Sequence, residues 1–220
     1  MRETIARMSR GPLLFDLDGT LIDSLADILA SANHLRGVFG LPPLPAETAR
    51  SYIGDGVFVL IERCLQELGP IDPHRDAAWD TWREHHAEQC TRLVRPYPGV
   101  IDWLTRWRDE GRAMAVVTNK AERFTQPILE HLELTQFLPV VISGDTLPRK
   151  KPDPAPLREA LRRLGVTGDG GTMVGDSVQD LRAGKAAGLR TAAALFGFRA
   201  EQELREEGAD EYWSSFGVAQ

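Results

Sequence analysis

Hydrophobic positions along this chain follow two rhythms. Leu13-Leu14-Phe15 is a short continuous apolar run, the pattern of a strand buried on both faces. From Ser24 to about Cys90 the apolar residues recur at helical spacing, broken by prolines and glycines. Leu25, Ile28, Leu29 and Ala32 predict a helix with Ser24 as its cap. Pro42-Pro43 and Pro45 interrupt the chain before a second helix. A third carries Val57, Leu60, Ile61, Cys64, Leu65 and Leu68 behind the tight loop Gly54-Asp55-Gly56, and Gly69-Pro70 ends it. A further helix runs from Pro73 towards Cys90. No strand is expected in this stretch.

Past Pro96-Tyr97-Pro98-Gly99 the pattern becomes an alternation of helices and short apolar strands. The strands are Ala113 to Val117, Val140 to Ile142, Thr172 to Val174 and Thr191 to Ala194. Helices are expected around Ile101 to Arg108, then from Arg123 to Leu132, Ala155 to Leu164 and Val178 to Ala187. Such alternation predicts an α/β fold, a doubly wound parallel sheet with helices on both faces. The first strand belongs to that sheet but is cut off from it by the helical block, so the block reads as an insertion after the first strand. Gly208 to Tyr212 suits a short edge strand. Trp103 and Trp107, one helical turn apart, are expected in the core. His85-His86, adjacent in a charged helix, cannot both face one metal and are expected on a solvated face.

Composition adds limits to this picture. Apolar residues make up 42% and charged residues 26% of the 220, enough for an ordinary core. A formal net charge of −6 argues against nucleic acid or an anionic membrane as partner, since either favours a basic face. No apolar run approaches a membrane span. Met1 to Arg10 is basic but has no hydrophobic stretch before a cleavage site, so it does not read as a secretory signal. Cys64 and Cys90 have no metal-ligand spacing and are expected to be inert, reduced thiols. A cytoplasmic enzyme fits these limits.

Chemistry collects at the ends of the strands. The first strand ends in Asp16 and Asp18. The next ends in Thr118-Asn119, and the one after in Ser143-Gly144-Asp145, followed by Lys150-Lys151-Pro152. The strand at Thr172 ends in Gly175-Asp176-Ser177, with Asp180 one helical turn further on. Open parallel sheets bind ligands beyond the carboxyl ends of their strands. Asp16, Asp18 and Asp176, with Asp180 nearby, make a hard, oxygen-rich, negative site without soft donors, which suits Mg²⁺. Thr118 and Asn119 offer a hydroxyl, an amide and helix-opening N–H groups to an anion. A lysine adds a point charge suited to phosphate, with Lys150 and Lys151 both available. A carboxylate cannot attack a phosphoryl group until the group's negative oxygens are neutralised, and a metal with a lysine provides this.

Asp16-x-Asp18-Gly-Thr, Thr118-Asn119, Lys151-Pro152 and Gly175-Asp176-Ser177-x-x-Asp180 together resemble the four motifs of the haloacid dehalogenase-like hydrolases. Within that family, Asp16 to Ser24, Gly54 to Gly56, Tyr97 to Val100, Val116 to Lys120, Ser143 to Pro148 and Lys151 to Pro156 resemble the bacterial phosphoglycolate phosphatases. The resemblance implies a Rossmann-like catalytic core over residues 1–22 and 96–220 and a helical cap over 23–95. It implies Asp16 as nucleophile, Asp18 as general acid and then base, and Mg²⁺ held by Asp16, the Asp18 carbonyl and Asp176, with Asp180 behind them. Thr118, Asn119 and Lys151 would hold the phosphate, the family's lysine being the one directly before the proline. Specificity would come from the cap, with Arg50, Gly54, Asp55, Gly56 and Arg63 as its candidates. A monomer or homodimer acting on a small phosphorylated substrate follows. Pyrophosphate, sugar phosphates and nucleotides remain open as substrates, as does phosphomutase chemistry. A metal-free dehalogenase would not need Asp18 or Asp176, and an intact set of motifs speaks against a non-catalytic binding module. Phe196 to Gln220, and the extension Arg2 to Arg10, fit the phosphoglycolate phosphatases less well.

Overall fold

The computed structural model describes residues 11–219; Met1 to Arg10, read above as a basic extension, lies outside them. Strand β1 (Leu13–Phe15) is fully buried and occupies the middle of the sheet. It pairs in parallel with β4 (Met114–Val117) on one side and β6 (Thr172–Gly175) on the other. Beyond β4 lies β5 (Val140–Ile142); beyond β6 lies β7 (Arg190–Ala194). Two tail strands complete the sheet, β8 (Glu211–Ser215), parallel to β7, and β9 (Val218–Ala219), antiparallel to β8. Because the chain winds outward from β1 in both directions, the carboxyl ends of β1, β4 and β6 border one crevice.

Helices α5 (Val100–Asp109), α6 (Glu122–His131), α7 (Ala155–Leu164), α8 (Val178–Ala187) and α9 (Glu201–Glu207) connect these strands. The alternation expected from the sequence is present, with α9 additional to it. Trp107 on α5 stacks on Phe15 with ring centroids 5.8 Å apart, and Trp213 and Phe216 from the tail close the same aromatic cluster. The tail departs from the expected short edge strand in this respect: β8 has a neighbour on each side, and its Trp213 is fully buried. Its alternation is diluted by exposed Ser214 and Ser215, which hides a core strand from sequence reading.

The inserted block holds α1 (Leu25–Val38), α2 (Ala46–Ser51), α3 (Val57–Cys64) and α4 (Arg75–Gln89), with α1 packed on the other three. The third helix stops at Cys64, and Gln66–Leu68 is a separate 3-10 turn, so Leu68 lies outside it and is exposed. Two strands bracket the block where none was expected. β2 (Ile22–Asp23) and β3 (Arg95–Pro96) pair antiparallel, so both chain passages into the block run side by side. Two residues are too few to carry a periodic signal, and one of the four is a proline.

Two buried charges organise the block. Arg36 donates to the Pro42 and Cys64 carbonyls, each at 2.6 Å, and forks onto Glu67 at 3.0 Å. Asp27 accepts from the Leu93 and Val94 amides and from Gln89, tying α1 to the returning chain. A buried charge is tolerable when hydrogen-bonded this fully. Ser24 does not cap α1: the Asp23 carboxylate takes the Leu25 N–H, and the Ser24 hydroxyl turns elsewhere. His86 is also not solvated; it is buried, with His85 half-buried beside it. Ala78, Trp82 and His86 recur every fourth residue on the inward stripe of α4, a spacing that the surrounding charges obscured. Among the described residues no helix is long and apolar enough to cross a membrane.

Candidate active site

Asp16 immediately follows β1, and its N–H continues the parallel ladder to the Val174 carbonyl at 2.9 Å. The ladder therefore fixes the backbone and leaves the side chain to project over the crevice. Asp176 follows β6 and is held by the Phe198 N–H at 2.7 Å and, more loosely, by the Thr20 hydroxyl at 3.5 Å. Between the two, Gly19 turns the chain at φ +80°, and a side chain there would fall on the Asp176 carboxylate. Asp180 belongs to the capping box that starts α8: its Oδ2 accepts from the Ser177 N–H at 3.1 Å and from the Ser177 hydroxyl at 2.6 Å.

Lys151, from the loop after β5, joins these pieces. Its Nζ lies 2.6 Å from the Val117 carbonyl, 2.6 Å from Asp180 Oδ1 and 2.8 Å from Asp16 Oδ1. Lys150 is exposed, and its Nζ reaches the Asp55 carbonyl of the inserted block at 3.4 Å. The approach of Lys151 to Asp16 is an ion pair off the hydrogen-bonding direction, which leaves Asp16 Oδ1 buried without a hydrogen bond. Burial would by itself pull the Lys151 ammonium down, but Asp16 and Asp180 outweigh it and hold it above the ordinary lysine range.

The carboxylates show the cost of their crowding. Burial, followed by the charge of Asp180, pushes Asp16 up to about 6, against the pull of Lys151. Asp176 is raised well above the usual carboxylate range by burial, then by Asp16 and Asp180. Oxygens of Asp16, Asp176 and Asp180 lie within 4.8 Å of one another. Among them the orphaned Asp16 Oδ1 and the loosely held Asp176 Oδ1 retain capacity for a cation, whereas Asp180 has spent its oxygens on Lys151 and Ser177. A hard divalent ion fits this set, with Asp180 standing behind the ligands.

This fit has a consequence for stability. The folded protein holds a proton on Asp16 up to about pH 6, whereas the unfolded chain releases it near 3.8. Metal-free stability contributed by this group is therefore present below the unfolded value and lost as pH rises through that window. The Mg²⁺-induced rise in Tm should be small at pH 5 and larger at pH 7.5, as measured by thermal melts with and without the ion. A pH-independent effect of Mg²⁺ would place the ion elsewhere.

Asp18, grouped above with the metal carboxylates, points away from that cluster. Its Oδ1 accepts from the Ser24 hydroxyl at 2.5 Å, and both its oxygens lie 3.1 Å from Lys120 Nζ. Asn119 uses its side chain on structure: Oδ1 accepts from the Lys151 N–H, and Nδ2 donates to the carbonyls of Lys151 and Gly54. Thr118 is buried beside it and accepts from the Lys120 N–H at 3.2 Å.

The Gly54-Asp55-Gly56 loop comes down onto the sheet side. Asp55 bridges Arg63 at 2.7 Å and Arg199 at 3.2 Å, and Gln179 donates to its other oxygen. Ile53, Gly54, Gly56, Val57 and Leu60 thereby face Asp16, Asp18, Thr118, Asn119, Lys151 and Asp176 across a shared cavity. Arg50 and Arg63 do not line it: Arg63 is engaged by Asp55 and the Tyr52 carbonyl, and Arg50 Nε is buried without a partner. The cavity's cations besides Lys151 are Lys120 and Arg199, and His86 is a further polar group in its wall. Sequence reading missed all three as site residues. Lys120 follows Thr118-Asn119 directly and was within reach of a strand-end argument; Arg199 and His86 lie far from any motif.

A family model described as haloacid dehalogenase-like hydrolase matches residues 13–194. A protein named phosphoglycolate phosphatase 1 from Pseudomonas aeruginosa is 39% identical over 199 residues, covering 89% of this chain and 73% of that one. A phosphoglycolate phosphatase from Nitrosospira multiformis is 37% identical, covering 90% and 88%. Among solved structures, a predicted phosphoglycolate phosphatase from Haemophilus somnus superposes with a TM-score of 0.88 at 27% identity, covering 95% of this chain and 96% of that one.

Proposed function

The chain belongs to the haloacid dehalogenase-like hydrolases, and on that footing we propose that it is a phosphatase releasing phosphate from 2-phosphoglycolate through a phosphoryl group carried on Asp16. The observation that carries this reading is the buried Asp16 carboxylate, one oxygen without a hydrogen bond, beside Lys151 at the end of the central strand. A carboxylate in that position, facing the cavity with a cation beside it, is placed to act as a nucleophile.

The division of labour follows from the contacts. Asp16 attacks phosphorus, forming an Oδ–P bond as the ester P–O bond breaks. Lys151 lies beside Asp16 and beneath the cavity, where it offsets negative charge on the transferring oxygens. The Thr118 hydroxyl faces the same space as a further donor. Asp18, two residues on, gives its proton to the leaving oxygen and then takes one from water as that water displaces Asp16 and frees phosphate. Asp16, the Asp18 carbonyl and Asp176 would hold Mg²⁺, oriented by Asp180. Bound there, the ion would supply charge neutralisation for the phosphoryl oxygens.

Residues 23–95 act in this proposal as a cap over a core formed by 1–22 and 96–220, with the β2–β3 ribbon as the joint between them. The Asp55 bridges to Arg199 and Gln179 support a closed state that excludes water until substrate is seated. The relatives' names support phosphoglycolate as substrate, and the cations Lys120 and Arg199 in the cavity wall, opposite the apolar Ile53, Val57 and Leu60 of the inserted block, support an anionic leaving group over a sugar. Phosphate release across small phosphomonoesters tests the reading. 2-Phosphoglycolate is expected to rank first by kcat/KM, with activity abolished by EDTA and restored by Mg²⁺. Full activity in chelator, or a sugar phosphate ranking first, would overturn it.

A further inference from the structure

Two cations line the cavity besides Lys151, and they are placed for different tasks. Arg199 is tied to the Asp55 carboxylate and to the Ser51 carbonyl, at the seam between the inserted loop and the sheet. Lys120 sits deeper, with its side chain 8% exposed, and its Nζ lies 3.1 Å from each oxygen of Asp18. Among the described residues Asp18 is its only ion-pair partner.

The carboxylates lining the cavity are Asp16, Asp18 and Asp176, and of these Asp18 is the one paired with Lys120. Ile28, Trp82, Phe124 and His86 face the same cavity. His86 is held neutral, its pKa driven well below the usual histidine value by burial and then by Lys120. The His86 Nδ1 lies 2.9 Å from the Ser31 hydroxyl, so the ring is fixed by α1.

We propose that Lys120 is the specificity-determining residue of this site, the cation that binds the carboxylate of the leaving group. This rests on the phosphatase reading above and deepens it. Asp18 marks where the ester oxygen departs, since it is the residue that protonates it. In a leaving group of the form oxygen–methylene–carboxylate, the carboxylate lies within a few ångströms of that oxygen. A cation in direct contact with Asp18 is therefore within reach of it, while Arg199, tethered at the seam, is matched to a longer molecule. The apolar wall beyond cannot satisfy the hydroxyls of a sugar, and unpaired polar groups are costly to bury.

The experiment compares 2-phosphoglycolate with 2-hydroxyethyl phosphate, whose leaving group is uncharged because a hydroxymethyl stands in place of the carboxylate. Wild-type enzyme is expected to prefer phosphoglycolate by kcat/KM. In Lys120→Met that preference should fall about 30-fold or more, mainly through KM, as expected for truncating one partner of a buried charge pair. Lys120→Arg should restore most of it. A residue that merely positions Asp18 would slow both substrates alike, so an unchanged ratio in Lys120→Met overturns the inference. So does a collapse of the ratio in Arg199→Met with Lys120→Met unaffected. If Lys120→Met does not fold, Lys120→Gln, with a side chain that still hydrogen-bonds Asp18, is read by the same ratio. Failure of the parent reading looks different: wild-type enzyme would then release phosphate from neither compound or show no preference between them.

Discussion

Asp16→Asn should lose at least about 10⁴-fold in phosphate release, the scale seen when a nucleophile is removed from a catalytic unit, while folding normally. The fold is expected to survive because Asp16 is not held by its charge. Its N–H belongs to the sheet ladder, and its carboxylate is raised to about 6 by burial and by Asp180. Replacing it by a neutral amide of the same shape removes a repulsive charge from among buried carboxylates. Lys151 keeps Asp180 and the Val117 carbonyl as partners. In metal-free buffer at pH 8 the variant should therefore melt no lower than wild type, and Mg²⁺ should raise its Tm less. Rate assays paired with thermal melts check both statements. Wild-type turnover in the variant would place the nucleophile elsewhere, and a large loss of Tm would mean that Asp16 is structural.

Lys151→Met is expected to be the most damaging single change to both activity and stability. The ammonium is almost fully buried and has oxygen neighbours from three different segments: Asp16 after β1, Val117 at the end of β4 and Asp180 on α8. Methionine fills similar space but leaves three buried carboxylates without a cation. Removing one partner of such a set costs about 3–5 kcal/mol, which corresponds to roughly 6–20 °C in Tm for a chain of this length. The loss should grow as pH rises, because protonation relieves the unpaired acids at low pH. Thermal melts at pH 5 and pH 8 measure that trend. Adding Asp16→Asn to Lys151→Met should recover part of the stability, since the two residues are in contact and their effects are coupled. A Lys151→Met protein as stable as wild type at pH 8 would contradict the geometry described here.

Much of this site could be read along the chain because its chemistry is local to strand ends. A strand buried on both faces is a continuous apolar run, and its crevice end is whatever polar residues come next. Asp16, Thr118 and Asp176 could each be found in that way, whereas the choice of Lys151 over Lys150 came only from the resemblance, and the alternation from Ala113 to Ala194 carried the parallel sheet with them. His86 could in principle have been placed too, since Ala78, Trp82 and His86 share one helical stripe.

What the tertiary structure alone decided involves partners distant in sequence. Strand order put β1 between β4 and β6 and so brought the motifs to one crevice; periodicity says which residues are buried but not which strand lies beside which. The ammonium of Lys120 rests on Asp18, 102 residues away, and Arg199 reaches Asp55 across 144. Those pairings turned Asp18 away from the metal carboxylates and withdrew Arg63 from the cavity. Charged side chains look alike on paper, whether solvated or buried. Only the fold, by removing water and fixing distances, determines which of them must find a counter-ion and which one is within reach.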